Sequence, residues 1–75
     1  MNERDQLVIT NRDRLLRAWQ NSTELVRDYE NYAHAAKEEN EALAQLFARC
    51  AEEEAVHASK FLAILQERDE QIALR

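Results

Sequence analysis

The absence of glycine and proline from all 75 residues is the strongest constraint on how this chain can fold. These two residue types provide most tight turns and most helix breaks, so a chain that lacks them has few places to reverse its direction. Its apolar residues recur instead at spacings of three and four, which is typical of amphipathic helices. The sequence therefore predicts an all-α protein made of a few long helices.

The first helix is predicted over about residues 5–38. Its main apolar stripe has coiled-coil-like spacing and comprises Val8, Leu15, Trp19, Val26, Tyr29, Ala33 and Ala36. A second stripe widens the buried face enough to contact more than one neighbouring helix and comprises Ala18, Leu25, Tyr32 and Ala36. The polar run 21–24 contains residues that can begin a helix, but the apolar period crosses it without a phase break. A continuous helix is therefore predicted.

The turn is predicted at residues 38–41, where the apolar period stops. Asn40 can either close the first helix in the left-handed conformation or cap the second. A second helix should follow over about residues 41–74, and its apolar stripe comprises Leu43, Phe47, Cys50, Phe61 and either Ile64 or Leu65, beside a ladder of alanines. After Leu65 the pattern thins, which leaves three interpretations open: the last turns fray, form a short third helix, or cap a neighbour.

One chain is predicted to be a single domain, residues 1–75, formed by an antiparallel helical hairpin. Each helix would be roughly 50 Å long, and such a hairpin is too narrow to bury both stripes. Domains of this length bury only about 60% of their unfolded surface and are marginal on their own. Because two hairpins can complete a four-helix bundle, a homodimer or larger homo-oligomer is predicted.

Charge and cysteine content exclude several functional classes. The net charge of −5, from 15 acidic and 10 basic residues, argues against a nucleic-acid or anionic membrane partner. No apolar run approaches the roughly 18 residues of a membrane span, and the first residues lack the apolar core of a signal peptide, so a cytoplasmic location is expected. Cys50 lies on an apolar stripe and is predicted to be a small buried hydrophobe. Without a Gly-rich phosphate loop, a Cys-x-x-Cys pair or a Ser, His and Asp constellation, the sequence gives no support for nucleotide enzymes, rubredoxin-type electron transfer or hydrolases.

Glu54 and His57 occupy two positions of the apolar stripe on the second helix. Residues three apart share one face of a helix, so a carboxylate and an imidazole stand side by side where apolar residues are expected. A buried charge is costly unless a hydrogen bond, an opposite charge or a metal neutralises it. Glu-x-x-His that projects into a helical bundle is the ligand arrangement of carboxylate di-metal proteins. The pair is therefore a candidate metal site.

The strings Ala36-Lys-Glu-Glu-Asn, Leu43-Ala-Gln-Leu-Phe and Ala51-Glu-Glu-Glu-Ala-Val-His-Ala resemble the ferritin-like superfamily, in particular the rubrerythrin helix pair that ends in Glu-x-x-His-Ala. The similarity covers Glu24 to Phe61. Because this chain supplies two helices where a complete ferritin-like domain has four, it looks like a half-ferritin, similar to the encapsulated ferritins. That resemblance implies a di-iron site shared by two chains, in which iron, or else manganese, is bound and ferrous iron is oxidised or peroxide is consumed.

The resemblance implies Glu24, Glu54 and His57 as metal ligands, with Glu24 thirty residues before Glu54 as in relatives. Tyr29 or Tyr32 would lie near the site. The helical phase leaves the ligand of the first helix open: Glu24 points roughly 160° away from the apolar stripe, whereas Glu30 lies only about 40° from it. Alignment on Tyr29 puts Ser22, a poor iron ligand, at the expected position. A helix without any ligand is the third interpretation.

A second function from a different class also fits the sequence. In a metal-free four-helix bundle that serves as an interaction module, Glu54 and His57 would only fix the register of the helices, as buried polar groups do in coiled coils. Their charges would then be satisfied by side chains across the subunit interface. Metal stoichiometry separates this interpretation from a ferritin-like metalloprotein.

Overall fold

The computed structural model describes residues 8–73, which form two α-helices packed side by side. Helix α1 spans Asn11–Ala36 and helix α2 spans Glu41–Ala73. Arg12, near the start of α1, contacts Asp69, near the end of α2, so the helices run antiparallel. The helical hairpin predicted from the sequence is confirmed. The predicted helical residues 5–7 and Leu74 lie outside the described residues.

Helix α1 begins later than the sequence predicts, because Thr10 caps it. The Thr10 hydroxyl accepts a hydrogen bond from the backbone N–H of Asp13 at 3.1 Å, and the Asp13 carboxylate accepts one from the backbone N–H of Thr10 at 2.9 Å. This reciprocal capping box satisfies two N–H groups that a helix leaves free at its start. Thr10 is accordingly extended, with φ −90° and ψ 168°, and Val8 and Ile9 precede the helix.

Helix α1 passes through the polar run 21–24 without a break, as predicted. The Thr23 side chain does not cap a new helix there; its hydroxyl donates a hydrogen bond to the Trp19 carbonyl at 2.8 Å. Ser22 in the same run is buried against the hairpin, with 5% of its surface exposed. A serine can occupy this place because its small hydroxyl fits between closely approaching helices.

The turn comprises residues 37–40, one residue earlier than predicted. Lys37 keeps right-handed helical angles, and no residue of the described range has a positive φ. Asn40 therefore caps α2: its Oδ1 accepts a hydrogen bond from the backbone N–H of Leu43 at 3.0 Å. Its own N–H donates to the Ala36 carbonyl at 2.9 Å, which ties the end of α1 to the start of α2.

Helix α2 continues to Ala73, so within the described residues its last turns neither fray nor form a separate third helix; that they cap a neighbour stays a prediction. A bidentate ion pair joins the two helices at the open end of the hairpin. Arg12 Nε and Nη2 donate hydrogen bonds to the Asp69 carboxylate at 3.0 and 3.1 Å. This pairing is a feature of the folded hairpin that the apolar pattern alone did not predict.

The hairpin is a single layer, one helix thick. Its principal extents are 57 × 32 × 11 Å, and its radius of gyration of 17.6 Å far exceeds the about 11 Å of a compact domain of this length. The apolar residues that are buried are Ala44, Ala51 and Leu65, and no large side chain of residues 8–72 is completely buried. Neither helix is apolar enough over a sufficient length, within residues 8–73, to cross a membrane.

The layer has two broad faces. One, which we call the aromatic face, carries a depression formed by Tyr32, Ala36 and Phe47. The other, the alanine face, carries a groove of about 560 Å³ between the helices. The α1 side of the groove includes Glu30 and His34, and the α2 side is the alanine ladder predicted from the sequence: Ala44, Ala48, Ala51 and Ala55. Both faces are open in the isolated hairpin.

Candidate functional site

Glu54 and His57 lie next to each other at the middle of α2. His57 Nδ1 is 3.4 Å from Glu54 Oε2, and the side chains are 58% and 17% exposed. Relative to Ala51, which faces α1, Glu54 is rotated by about 60° and His57 by about 120°, both toward the aromatic face. Glu54 is therefore mostly covered by the hairpin, whereas His57 stands out from its surface.

The spacing of the pair fits two donors to one metal ion. Two ligand atoms about 2.1 Å from an ion, at bond angles of about 90° to 110°, are separated by about 3.0 to 3.4 Å. Carboxylate oxygen and imidazole nitrogen suit iron, manganese and zinc. Two donors do not make a complete site, however, and residues 8–72 contain no group of three potential ligands in one chain. A complete metal site would need further donors beyond this pair.

The two α1 carboxylates that the sequence offered as ligands lie elsewhere in the hairpin. Glu24 lines a shallow depression on the outer surface of α1 together with Arg17 and Arg27. Glu30 lines the groove on the alanine face. The structure thus brings Glu54 and His57 together and brings neither Glu24 nor Glu30 to them.

On the side of α1 that faces α2 and the aromatic face, Ser22 and Leu25 are the residues level with the pair. The contact between Arg12 and Asp69 and the turn at 37–40 fix an antiparallel register. In that register Ser22 lies level with about residue 57 and Leu25 with about residue 54. Ser22 is buried and Leu25 is 39% exposed. Leu25 was recognised in the sequence as part of an apolar stripe, but its place beside the candidate site depends on the register and was missed.

An aromatic cluster lies on the turn side of the candidate site. The Phe47 ring is stacked on Tyr29, with centroids 6.4 Å apart, and meets Tyr32 edge-on at 5.4 Å. The two tyrosines are in edge contact at 6.5 Å. Phe47 stands two turns before Glu54 on α2, so the cluster forms an apolar wall along the approach to the pair. The sequence proposed the tyrosines singly; their association through Phe47 comes from the packing of α1 on α2.

On α2, the stripe of residues that contains Glu54 and His57 has equal residue intervals on both sides of the pair, and we call it the symmetric stripe. Cys50 lies four residues before Glu54, and Phe61 lies four residues after His57. Phe47 and Ile64 are the next such pair at seven residues, and Leu43 and Arg68 follow at eleven. These steps of four, seven and eleven keep one helical face. His57 is also the central residue of α2, which spans Glu41–Ala73.

The symmetric stripe is substantially uncovered. Leu43 is 39% exposed and Ile64 48% exposed, while Cys50 and Phe61 are half-buried. About the axis of α2, most of its members are rotated by roughly 90° from the side that packs on α1. In a four-helix bundle, a helix meets its second neighbour in that direction. The spacing was present in the sequence, and equal intervals around Glu54 and His57 were the signal that could have revealed it.

His34, the other histidine, lies across the layer from the candidate site. It lines the groove on the alanine face with Glu30 and Lys37 from α1 and Glu52 from α2. The sequence predicted it to be exposed, and it is. The residues that line this groove include neither Glu54 nor His57.

Comparison with known proteins agrees with the geometry of the hairpin. A family model described as Rubrerythrin matches residues 13–75. The match includes nearly all of α1 and the whole of α2. Neither the curated proteins nor the solved structures gave a significant match. An all-helical hairpin with Glu-x-x-His at the middle of its second helix, matched over most of its length, belongs to the rubrerythrin family.

Proposed function

We propose that this protein is a homodimeric ferritin-like metalloprotein that binds iron between its subunits through Glu54 and His57 of both chains, and that it oxidises ferrous iron or consumes peroxide. The observation that carries the proposal is the position of the pair. A carboxylate and an imidazole 3.4 Å apart stand at the centre of an open, symmetric apolar stripe.

Association through the aromatic face supplies the second half of the site. Two layers of 11 Å stacked on this face make a four-helix bundle with an interior that neither layer has alone. If the two α2 helices cross antiparallel at residues 55–56, every residue of the symmetric stripe meets its counterpart from the other chain. Glu54 then faces His57 of the partner subunit, and the four side chains form one cluster.

The side chains around the cluster suit it to hold a cation. The Glu54 carboxylate is largely withdrawn from water, and a metal ion compensates its charge. Leu25 and the aromatic cluster restrict water on the α1 side. Bound iron would supply one-electron chemistry toward oxygen or peroxide, and open coordination positions would admit the oxidant.

The sequence adds Glu24 to the ligand set and, with it, two irons per dimer. A two-metal centre needs at least one further carboxylate from each α1, and Glu24 is the predicted source of that carboxylate.

An anaerobic ferrous titration tests the proposal. Metal-free protein is loaded with Fe²⁺, the eluted oligomer is analysed for mass and iron, and absorbance is followed after air is admitted. We expect a dimer that retains iron and develops a ferric absorption band. His57→Ala should lose the iron and remain a helical dimer, whereas the matched variant His34→Ala should retain it. An intact dimer that binds no iron, or equal loss in both variants, contradicts the proposal.

A metal-free interaction module is the second candidate, because Glu54 and His57 already contact each other within one chain. In that case the pair serves only to fix the register of two hairpins. Its signature would be an intact dimer whose melting temperature is the same with added iron and with a chelator. Stabilisation by iron that His57→Ala abolishes excludes it.

A further inference from the structure

We infer that the proposed interface site holds one metal ion per dimer and not the pair of ions that the family's ligand pattern implies. This inference rests on the proposed function, since it concerns the number of ions at the same site. It follows from which α1 side chains reach the level of Glu54 and His57.

The α1 positions beside the pair carry no metal ligand. A second ion at the interface would need a donor from α1 on the side that faces the bundle interior. Ser22 and Leu25 occupy that side at the level of the pair, and Ser22 is already buried against α2. A leucine offers no donor, and a neutral hydroxyl is a weak ligand for a divalent ion compared with a carboxylate.

The carboxylates of α1 within this part of the helix are turned elsewhere or lie at another level. Glu24 lies on the outer surface beside Arg17 and Arg27, and Glu30 lies in the groove of the alanine face. Asp28 is exposed and lies toward the aromatic face, about 120° from Ser22, but the register places it level with about residue 50, roughly one helical turn from Glu54. Rotating α1 to bring Glu24 inward would move Ser22 out of the seam and expose it.

The donors that remain match a single ion. Two chains provide two Glu54 carboxylates and two His57 imidazoles, which is a mixed nitrogen and oxygen set of four groups. Four such groups are enough to hold one divalent transition metal, and on iron they would leave further coordination positions open. Divided between two ions they would supply one imidazole and one carboxylate for each, four groups in place of the six that the di-iron proteins provide.

Native mass measurement of the dimer after anaerobic loading with Fe²⁺ counts the ions directly. We expect one iron per dimer, unchanged in Glu24→Gln and absent in His57→Ala. Two irons per dimer in the unmodified protein would overturn the inference and leave the proposed function standing. A dimer without iron would instead refute the proposed function, so the two failures are distinguishable.

Restoring the missing carboxylate provides an independent check. Ser22→Glu should raise the count from one to two irons per dimer, because it places a carboxylate from each α1 at the level of the pair. Ser22→Asp, which is shorter and closer to serine in volume, is the second variant in case glutamate overpacks the seam. Circular dichroism confirms that each variant is folded. A count that stays at one in both folded variants would contradict the role assigned to Ser22.

Discussion

Ser22 and Glu54 are two polar side chains that the hairpin largely covers. The free-energy cost of removing them from water differs, because one is neutral and the other carries a carboxylate. Ser22 is neutral and can occupy a close helix contact. Glu54 retains a carboxylate with 17% of its side chain exposed, and within the described residues its ion-pair candidate is the His57 imidazole at 3.4 Å. A buried acidic group with one partially exposed partner is an unfavourable element of a metal-free interior.

Replacing Glu54 by leucine should therefore separate stability from metal binding. We expect Glu54→Leu to raise the melting temperature of the metal-free dimer, by an amount equivalent to about 1 kcal/mol or more, because it continues the apolar stripe and removes a costly charge. The same variant should bind no iron. Thermal unfolding followed by circular dichroism and iron analysis measure the two effects.

The control for this variant is Glu53→Leu, which changes an exposed neighbour on the same helix. It should alter neither the melting temperature of the metal-free protein by a comparable amount nor the iron content. If Glu54→Leu lowered the melting temperature of metal-free protein, the carboxylate would be a structural ion-pair partner, and the interaction-module interpretation would gain support.

At the scale of the elements, both helices are fixed at their ends by local polar contacts. Thr10 and Asp13 begin α1, Asn40 begins α2, and Arg12 with Asp69 joins the open end. Hydrogen bonding from Arg12 lowers the pKa of the Asp69 carboxyl, and the Thr10 backbone N–H and then its hydroxyl lower the pKa of Asp13. Both carboxylates thus favour the folded state while they are ionised.

These lowered pKa values predict weaker stability in acid. Because each carboxyl group has a lower pKa in the folded than in the unfolded chain, its contribution is fully present above the ordinary value of about 4 and is lost as pH falls through the lowered value. Asp69→Asn should be less stable than the unmodified protein at pH 7, and the difference should vanish toward pH 2. Urea unfolding at a series of pH values measures it.

The Asp69→Asn experiment has a matched control in Glu67→Gln, an exposed carboxylate on the same helix. This control should show no comparable difference at pH 7. Both members of the Arg12–Asp69 pair are exposed to solvent, so the effect should also shrink in high salt. A difference between Asp69→Asn and the unmodified protein that persisted at pH 2 would show that the side chain acts through packing and not through its charge.

The elements were largely predictable from the sequence, and the site only in part. The spacing of Trp19, Val26 and Tyr29 carries the same period through α1, so a continuous helix follows from local pattern alone. The start at Asn11 did not follow, because a capping box can compete with a few further helical residues and apolar periodicity does not register that competition. The turn was displaced by one residue for a similar reason, the capping of α2 by Asn40.

Glu54 and His57 were found because their spacing on one helix brings them together without reference to any other element. Glu24 was a different kind of prediction. Its separation of thirty residues from Glu54 fits the family pattern, but the face it occupies depends on which side of α1 packs against α2, and Ser22 is the residue buried there. Sequence distance measures level along a hairpin and is insensitive to rotation about a helix. Alignment on Tyr29 pointed to Ser22 instead, and Ser22 is the residue that the hairpin buries.

At the scale of the whole molecule, the symmetric stripe on α2 predicts which residues of the two chains meet in the proposed dimer. An antiparallel crossing at residues 55–56 brings Cys50 of one chain to Phe61 of the other and keeps the two Cys50 residues well apart. Phe61→Cys should therefore form a disulfide with the native Cys50 of the partner subunit under mild oxidation. Non-reducing electrophoresis and peptide mapping identify the linked residues.

The matched control for this cross-link is Phe61→Cys in a Cys50→Ser background, which should remain uncross-linked. Within one helix, residues 50 and 61 are roughly 16 Å apart along the axis and cannot join. A disulfide between two Cys50 residues in the unmodified protein would indicate a parallel crossing, and α2 packed on the partner's α1 would give no link in either variant. Each of those results contradicts the antiparallel arrangement.

The 11 Å thickness of the hairpin also determines how such a protein reaches its native state. Within residues 8–72 a layer one helix thick encloses almost no large apolar side chain, so in the proposed dimer most of the stabilising free energy would come from association with a second chain. Folding of the proposed dimer would then be bimolecular, and the refolding half-time should shorten as the protein concentration rises. In a cell, the chance that a newly made hairpin escapes proteolysis would depend on how soon it meets another, which ties the lifetime of the chain to its rate of synthesis.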